Sequence, residues 1–127
     1  HTGTNPMHTN LSIANALDYY SKIGAERKEA RLRYLQRYWT DKVRNLENII
    51  INTPVEMQRS CGIANVGIKG MKPADLAAVL MNKYKIFTVA IDNEKANVHG
   101  CRITPNIYTT PEDLDHLVSA LNELRSA

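Results

Sequence analysis

The sequence predicts a small α+β domain, with a mostly antiparallel sheet and helices packed on one face. Two observations lead to this class. In four segments apolar residues recur every three or four positions, as in helices with one buried face. Four short β-branched or alternating runs lie between them and are typical of strands. The predicted order is helix, helix, strand, strand, helix, strand, strand, helix. A chain of 127 residues can bury one core of this kind.

Two helices are predicted in the first half of the chain. Residues 1–10 are polar and interrupted by glycine and proline, so we expect an irregular terminus there. Residues 11–23 have helical spacing and stop before Gly24, which suits a helix end. The second helix is predicted to run from Ala25 to about Leu46, because its apolar residues form one stripe. The stripe consists of Leu32, Leu35, Trp39, Val43 and Leu46.

The second half supplies the remaining elements. We predict strands over residues 48–52, 62–69, 85–92 and 101–104, a polar loop over 93–99, and helices over 73–84 and 111–125. The last helix has the clearest start. Thr110 is a good N-cap, Pro111 suits the first helical position, and Asp113 stands where a capping-box acid belongs.

Composition and motifs exclude several classes of function. The net charge of +3 is mild, and the two cysteines lack metal-ligand spacing, so no metal site is predicted. No apolar run approaches the roughly 20 residues of a membrane span, and no membrane partner is expected. The basic side of the second helix offers a nucleic-acid footprint as an alternative, but acids are mixed into it. A solvated helix face without a nucleic-acid partner is the favoured interpretation.

Arg102 is the strongest candidate for a functional residue. It stands in the middle of a short strand, and alternation places Cys101 on the opposite face, where packing is expected. A guanidinium on a rigid strand can hold a carboxylate through two parallel N–H donors. From the residue types alone, a carboxylate anchor and a surface salt bridge are equally acceptable. For His99 we favour a structural role, and no catalytic triad, phosphate loop or zinc motif is present.

Three segments resemble the class V aminotransferase-like pyridoxal phosphate enzymes, a group that includes cysteine desulfurases, selenocysteine lyases and isopenicillin N epimerase-like proteins. Gly3 and Thr4, followed by Pro6 and LSIANALDYYSKIG, are similar to the segment after the family's Schiff-base lysine. The run KPADLAAVLMNKYKI is similar to part of its small domain. The arginine strand followed by YTTPEDLDHLVSALNEL is similar to its C-terminal stretch and is the most specific match.

The resemblance implies that residues 11–127 form the C-terminal small α+β domain of a fold-type-I pyridoxal phosphate enzyme. Residues 1–10 would link it to a large cofactor domain missing upstream, and the start without an initiator methionine agrees with a longer parent. Arg102 would bind the α-carboxylate of an amino-acid substrate, while Gly3 and Thr4 would reach the phosphate of pyridoxal 5'-phosphate. Relatives are usually homodimers, so a homo-oligomer is expected.

No catalytic residue is predicted within the chain, because the family's lysine, its pyridinium-pairing acid and its ring-stacking residue all lie upstream. By itself the chain should therefore be inactive and bind the cofactor weakly. The resemblance also implies that a desulfurase carries a nucleophilic cysteine on a loop before Arg102, and residues 92–98 contain none. We therefore expect an aminotransferase, epimerase or lyase, of the isopenicillin N epimerase-like branch. The alternative is a stand-alone α+β module that binds a small acid or a protein.

Overall fold

A computed structural model describes residues 7–126 and contains all eight predicted elements in the predicted order. The helices are α1 (Met7–Ile23), α2 (Ala25–Val43), α3 (Pro73–Tyr84) and α4 (Pro111–Leu124). The strands are β1 (Ile49–Ile51), β2 (Ala64–Ile68), β3 (Val89–Asn93) and β4 (Val98–Ile103). Short 3₁₀ turns occupy Met57–Arg59 and Glu94–Ala96. None of the described helices is both long and apolar enough to cross a membrane.

The four strands form one sheet in the order β1-β2-β4-β3, and each neighbouring pair is antiparallel. Strand β4 is therefore central. Its Arg102 stands directly opposite Asn65 of β2 on one side and Val89 of β3 on the other. The predicted α+β class with an antiparallel sheet is confirmed.

The core lies on one face of this sheet, beneath the helices. Sheet residues such as Val66 and Cys101 are fully buried there, together with Leu35 and Trp39 of α2 and Leu121 of α4. Fully burying an apolar side chain of this size contributes about 1.5–3 kcal/mol relative to leaving it exposed. Helix α3 joins the same cluster through its buried leucines. The prediction that helices cover one face is confirmed, and no helix among residues 7–126 covers the other face.

The predicted start of the last helix is confirmed in detail. The Thr110 hydroxyl accepts a hydrogen bond from the Asp113 backbone N–H at 3.2 Å, and the Asp113 carboxylate accepts one from the Thr110 backbone N–H at 2.9 Å. Both halves of the capping box are thus formed. These contacts at the backbone and hydroxyl of Thr110 hold the pKa of Asp113 below its ordinary value.

Several boundaries differ from the prediction. Helix α1 begins at Met7, so residues 7–10, expected to be irregular, are helical. Helix α2 ends at Val43 rather than near Leu46, and residues 44–48 form turns and a bend that include Asn48 at a positive φ of 63°. Lys85 ends α3 in a left-handed conformation with φ of 60°, which delays β3 to Val89. The predicted loop over 93–99 contains the second 3₁₀ turn, and β4 starts within it, at Val98.

Helix α1 contributes little to the core described above. Its apolar residues Leu11, Ile13 and Leu17 are 68%, 55% and 60% exposed. Their helical spacing was sufficient to predict the helix, but within the described residues nothing buries them. A Tyr19–Tyr108 hydroxyl contact ties the end of α1 to the turn before α4, and this hydrogen bond raises the pKa of Tyr108.

Candidate functional site

Arg102 is exposed on the sheet face opposite the helices. Along β4, Cys101 and Ile103 are buried, whereas Arg102 between them is exposed. The alternation of a strand therefore sends the guanidinium away from the core. Cys101 packs inward as predicted, and its thiol donates to the Pro73 carbonyl at 3.4 Å. Burial raises the pKa of the Cys101 thiol, which keeps it protonated and unreactive.

The surroundings of Arg102 on this open face are neutral. Because residues that pair directly across strands share a face, Asn65 and Val89 are its nearest cross-strand neighbours. The register also places three apolar side chains on the open face, namely Ile50 of β1, Ile91 of β3 and Val98 of β4 itself. The result is one cation on a largely apolar surface formed by secondary structure.

Arg102 makes no ion pair and no hydrogen bond with another residue in the part of the chain that the structure describes. The surface salt bridge that the sequence left open is therefore not observed within residues 7–126. The other candidate role, an anchor for a carboxylate from outside this group of residues, agrees with that geometry. Within residues 7–126 the central strand therefore holds this guanidinium in place, and no contact of the fold uses it.

Asn65, beside Arg102, is fixed by its own contacts. Its side-chain oxygen accepts from Asn52 Nδ2 at 2.6 Å, and its backbone N–H donates to the Thr53 hydroxyl at 2.9 Å. Gly100 makes this arrangement possible, since a Cβ built there would lie 2.6 Å from Asn65 Oδ1 and 2.4 Å from the Val66 carbonyl oxygen. The absence of a side chain at position 100 lets β2 and β4 approach closely next to Arg102.

Arginines on the basic side of α2 and at its C-cap donate hydrogen bonds to backbone carbonyls of neighbouring loops. Arg31 Nη2 donates to the Thr109 carbonyl at 3.0 Å, Arg33 Nη1 donates to the Met57 carbonyl at 2.8 Å, and Arg44 Nη1 donates to the Thr53 carbonyl at 3.3 Å. Arg33 also pairs with Glu29, one turn earlier. These arginines hold two connections against α2 and its C-cap, the one between β1 and β2 and the one between β4 and α4, so the basic face has a role in the fold.

The other titratable candidates lie away from the Arg102 face. His99 Nδ1 lies 2.5 Å from Asp92 Oδ1 across the β3–β4 ladder, and His116 Nε2 lies 2.8 Å from the Tyr84 carbonyl oxygen. Cys61 is exposed in the loop before β2, where it lines a shallow cavity against α1 and α2. Residues 7–126 hold no cluster of three His, Cys, Asp or Glu side chains that could bind a metal ion. Gly3 and Thr4 lie outside the described residues.

The residues present do not by themselves form a site for pyridoxal phosphate. Such a site needs a lysine with a low pKa and an acid near the pyridine nitrogen. The open face carries neither between residues 7 and 126. Hydrogen bonds to Asp115 and Glu123 raise the pKa of Lys42 and of Lys83, which favours the protonated, non-nucleophilic amine. Within residues 7–126 this face therefore offers a guanidinium, which pairs with anions, and lacks the lysine and the acid that such a cofactor site needs.

The described residues thus form an α+β domain with an exposed arginine on the central strand. Comparison with known proteins assigns its family: the sequence model of aminotransferase class-V matches residues 1–117. The chain therefore belongs to the class-V aminotransferase family, whose members use pyridoxal phosphate.

Individual relatives agree with this assignment. The chain is 27% identical to a cysteine desulfurase of Haloferax volcanii over 130 aligned positions, which cover 97% of this chain and 30% of that protein. Among solved structures, it resembles a cysteine desulfurase from Thermococcus onnurineus NA1 with a TM-score of 0.85, at 21% identity over 99% of this chain and 33% of the other. An alanine–glyoxylate aminotransferase from Nostoc sp. gives a TM-score of 0.66, at 19% identity over 98% and 33%.

The two structural likenesses show that the fold is that of part of a fold-type-I pyridoxal phosphate enzyme. In each of these comparisons the chain spans about a third of the length of the relative. The predicted family and fold are therefore confirmed. None of these three relatives is named as an isopenicillin N epimerase, so that branch stays a prediction. The roles predicted for Arg102, Gly3 and Thr4 remain predictions.

Proposed function

We propose that this chain is the substrate-binding C-terminal domain of a longer pyridoxal phosphate enzyme that acts on an amino acid. In this proposal Arg102 binds the α-carboxylate of the substrate. The observation that carries it is the exposed guanidinium of Arg102 on the open face of the central strand, which has no partner among residues 7–126.

Physical chemistry supports this role for Arg102. A guanidinium offers paired N–H donors in a fixed fork that matches both oxygens of a carboxylate. The neighbours that share its face are an amide and aliphatic side chains, so no acid competes for the arginine there within residues 7–126. Covering an apolar face of this kind would exclude water and strengthen the charge–charge attraction. The strand and the fixed Asn65 limit how far the anchor can move.

The cofactor would be held outside the described residues. When bound, pyridoxal phosphate supplies an electron sink for carbanion chemistry at the amino acid. We propose that the required lysine and acid belong to another part of a longer protein, and that this chain alone does not turn over substrate. Gly3 and Thr4 are proposed to approach the cofactor phosphate, with a homo-oligomer completing the site.

For the reaction we propose transamination, epimerisation or elimination, in an enzyme of the isopenicillin N epimerase-like branch. The chain has two cysteines, and neither lies beside Arg102: Cys101 is buried on the opposite face and Cys61 lies toward α1 and α2. No cysteine is therefore placed to take sulfur from a substrate held by Arg102. Cysteine desulfurase is the second candidate, because it is the activity in the name of the relative from Haloferax volcanii.

The proposal is tested with the full-length protein. Its absorption spectrum should contain the band of lysine-bound pyridoxal phosphate, and adding amino acids should change that band. Replacing Arg102 with alanine should weaken amino-acid binding by about 2–5 kcal/mol, roughly 30-fold or more, which is the scale for truncating one partner of a buried charge pair. Arg59→Ala is the matched control, since Arg59 is an exposed arginine in a separate 3₁₀ turn.

Unchanged affinity in Arg102→Ala would refute the carboxylate anchor. A full-length protein without the cofactor band would favour the stand-alone module that binds a small acid or a protein. Release of sulfide from cysteine at the rate of a desulfurase would select the second candidate over the epimerase-like branch.

A further inference from the structure

A cavity of about 130 Å³ lies between α2 and the connection from β1 to β2. Polar and charged residues of α2 and its C-cap form one wall, and two residues of the connection form the other: Gln36, Arg37, Thr40, Asp41, Arg44, Pro54 and Val55. The helix residues recur at steps of three and four and therefore share one side of α2. Helix α2 covers the core face of the sheet, whereas Arg102 is exposed on the opposite face. The cavity is therefore separate from the proposed carboxylate anchor.

Two nearly fully buried polar side chains line this cavity. Gln36 is 3% exposed, and its amide makes no hydrogen bond with another residue in the described part of the chain. Thr40 is 1% exposed, and its hydroxyl makes only a long hydrogen bond of 3.4 Å, to the Arg37 carbonyl. Burying an amide without a hydrogen bond is unfavourable. The cavity beside Gln36 is thus where a partner for its amide would bind.

Two arginines border the same cavity. Arg37 Nη2 donates to the Val55 carbonyl at 3.5 Å, and Arg44 Nη1 donates to the Thr53 carbonyl at 3.3 Å. These contacts leave most of the five N–H donors of each guanidinium for another acceptor. Neither arginine forms an ion pair with an acid among residues 7–126. Two positive charges around one small cavity attract an anion.

The size and the charges of the cavity indicate which anion fits. The volume is slightly below the roughly 150 Å³ that accepts benzene, so it suits a tetrahedral oxyanion such as phosphate or sulfate. Guanidiniums bind such oxygens through paired donors. Asp41 also lines the cavity, and an ionised carboxylate can only accept hydrogen bonds. It favours an anion that keeps a hydroxyl at neutral pH, as phosphate does and sulfate does not.

We propose that this cavity binds inorganic phosphate. Arg37 and Arg44 hold the charged oxygens, the Gln36 amide donates a further hydrogen bond, and the Asp41 carboxylate accepts one from the phosphate hydroxyl. The inference goes beyond the proposed function, because this site uses neither Arg102 nor the cofactor.

Calorimetry tests the site on the full-length protein with pyridoxal phosphate bound, in a chloride buffer, by titrating phosphate and sulfate. One equivalent of phosphate should bind, and sulfate should bind at least about tenfold more weakly because it has no hydrogen to donate to Asp41. Arg44→Gln should weaken phosphate binding at least about tenfold, since it removes a charged donor. Gln36→Met removes the amide but keeps an unbranched side chain, and it should weaken phosphate binding about fivefold.

The Gln36→Met variant tests the site even if Arg44→Gln fails to fold through its lost contact with Thr53, because the Gln36 amide bonds to no residue in the described range. Arg102→Gln is the matched control, an exposed arginine on the opposite face, and should keep the wild-type phosphate constant. No saturable binding of phosphate below about 10 mM would overturn the inference, as would a wild-type constant in Gln36→Met. A loss of phosphate binding in Arg102→Gln would place the anion at the carboxylate anchor and also overturn it.

Discussion

Arg102 and Ile103 are adjacent on β4 and allow function to be separated from folding. Ile103 is 7% exposed and belongs to the core, so Ile103→Ala should cost about 2–5 kcal/mol in the free energy of unfolding. Three carbons removed at about 0.8 kcal/mol each give about 2.4 kcal/mol, and the cavity left behind adds to this cost. Arg102 is exposed and unpaired within residues 7–126, so Arg102→Gln should change stability by less than about 0.5 kcal/mol.

The assay is urea unfolding of the 127-residue chain, followed by the fluorescence of its single tryptophan. Trp39 is fully buried in the core, so its fluorescence changes when the core unfolds. The wild-type chain gives the reference midpoint and slope, and equal slopes in both variants allow the midpoints to be compared. A destabilisation above about 1.5 kcal/mol in Arg102→Gln would show that the fold uses this guanidinium. In that case Arg102 would stabilise the fold, contrary to a role restricted to ligand binding.

Three further predictions concern the chain itself. Gly100→Ala should lower the free energy of unfolding by about 3 kcal/mol, because the added Cβ would lie 2.4 Å from a carbonyl oxygen of β2. Gly70→Ala is the comparison: Gly70 lies in open space at φ of 82°, so this change should cost only about 1 kcal/mol. In the native chain a maleimide should label Cys61 and spare Cys101, and both should react in denaturant, as counted by mass spectrometry. The free energy of unfolding should fall as the pH drops below about 4, in part because the pKa of Asp113 in the folded chain is below its ordinary 3.8. The stabilisation by the Asp113 carboxylate is present above pH 3.8 and is lost as the pH falls through the pKa of the folded chain.

Each of these predictions has a result that would contradict it. Equal losses in the two glycine variants would mean that β2 and β4 do not approach closely at position 100. Native labelling of both cysteines at similar rates would place Cys101 outside the core. For the acid transition, Asp113→Asn is the comparison: between about pH 5 and pH 2.5 it should lose less stability than the wild type, and identical curves would remove the capping carboxylate from the explanation.

Local sequence patterns predicted much of the fold. Thr110 and Asp113 are three residues apart and their capping box is a local structure, so its sequence signature was sufficient. Strand alternation likewise separated Arg102 from Cys101 correctly, because side chains of a strand point to opposite faces regardless of what the strand pairs with. The start of α1 at Met7 was missed, since the polar residues before Leu11 lack the apolar spacing on which the prediction depended.

The surroundings of Arg102 could not be predicted from local sequence patterns, because they depend on how distant strands pair. The sheet order places β4 between β2 and β3, and only this long-range pairing makes Asn65 and Val89 neighbours of Arg102. Whether Arg102 forms a salt bridge could not be decided from residue types, because it depends on which acids the pairing brings close. The exposure of Phe87 also lay outside the sequence prediction, which gave a strand over residues 85–92: the left-handed Lys85 delays β3 to Val89, and the Phe87 ring before it is exposed.

The central claim is that Arg102 holds the carboxylate of an amino acid in the full-length protein. A crystal structure of that protein with its cofactor and a bound carboxylate inhibitor measures this directly, through the distances from the guanidinium nitrogens to the carboxylate oxygens. Two N–O distances of about 2.7–3.1 Å, in the bidentate arrangement, are the predicted result. A bound carboxylate that contacts other groups and lies more than about 6 Å from Arg102 would contradict the claim.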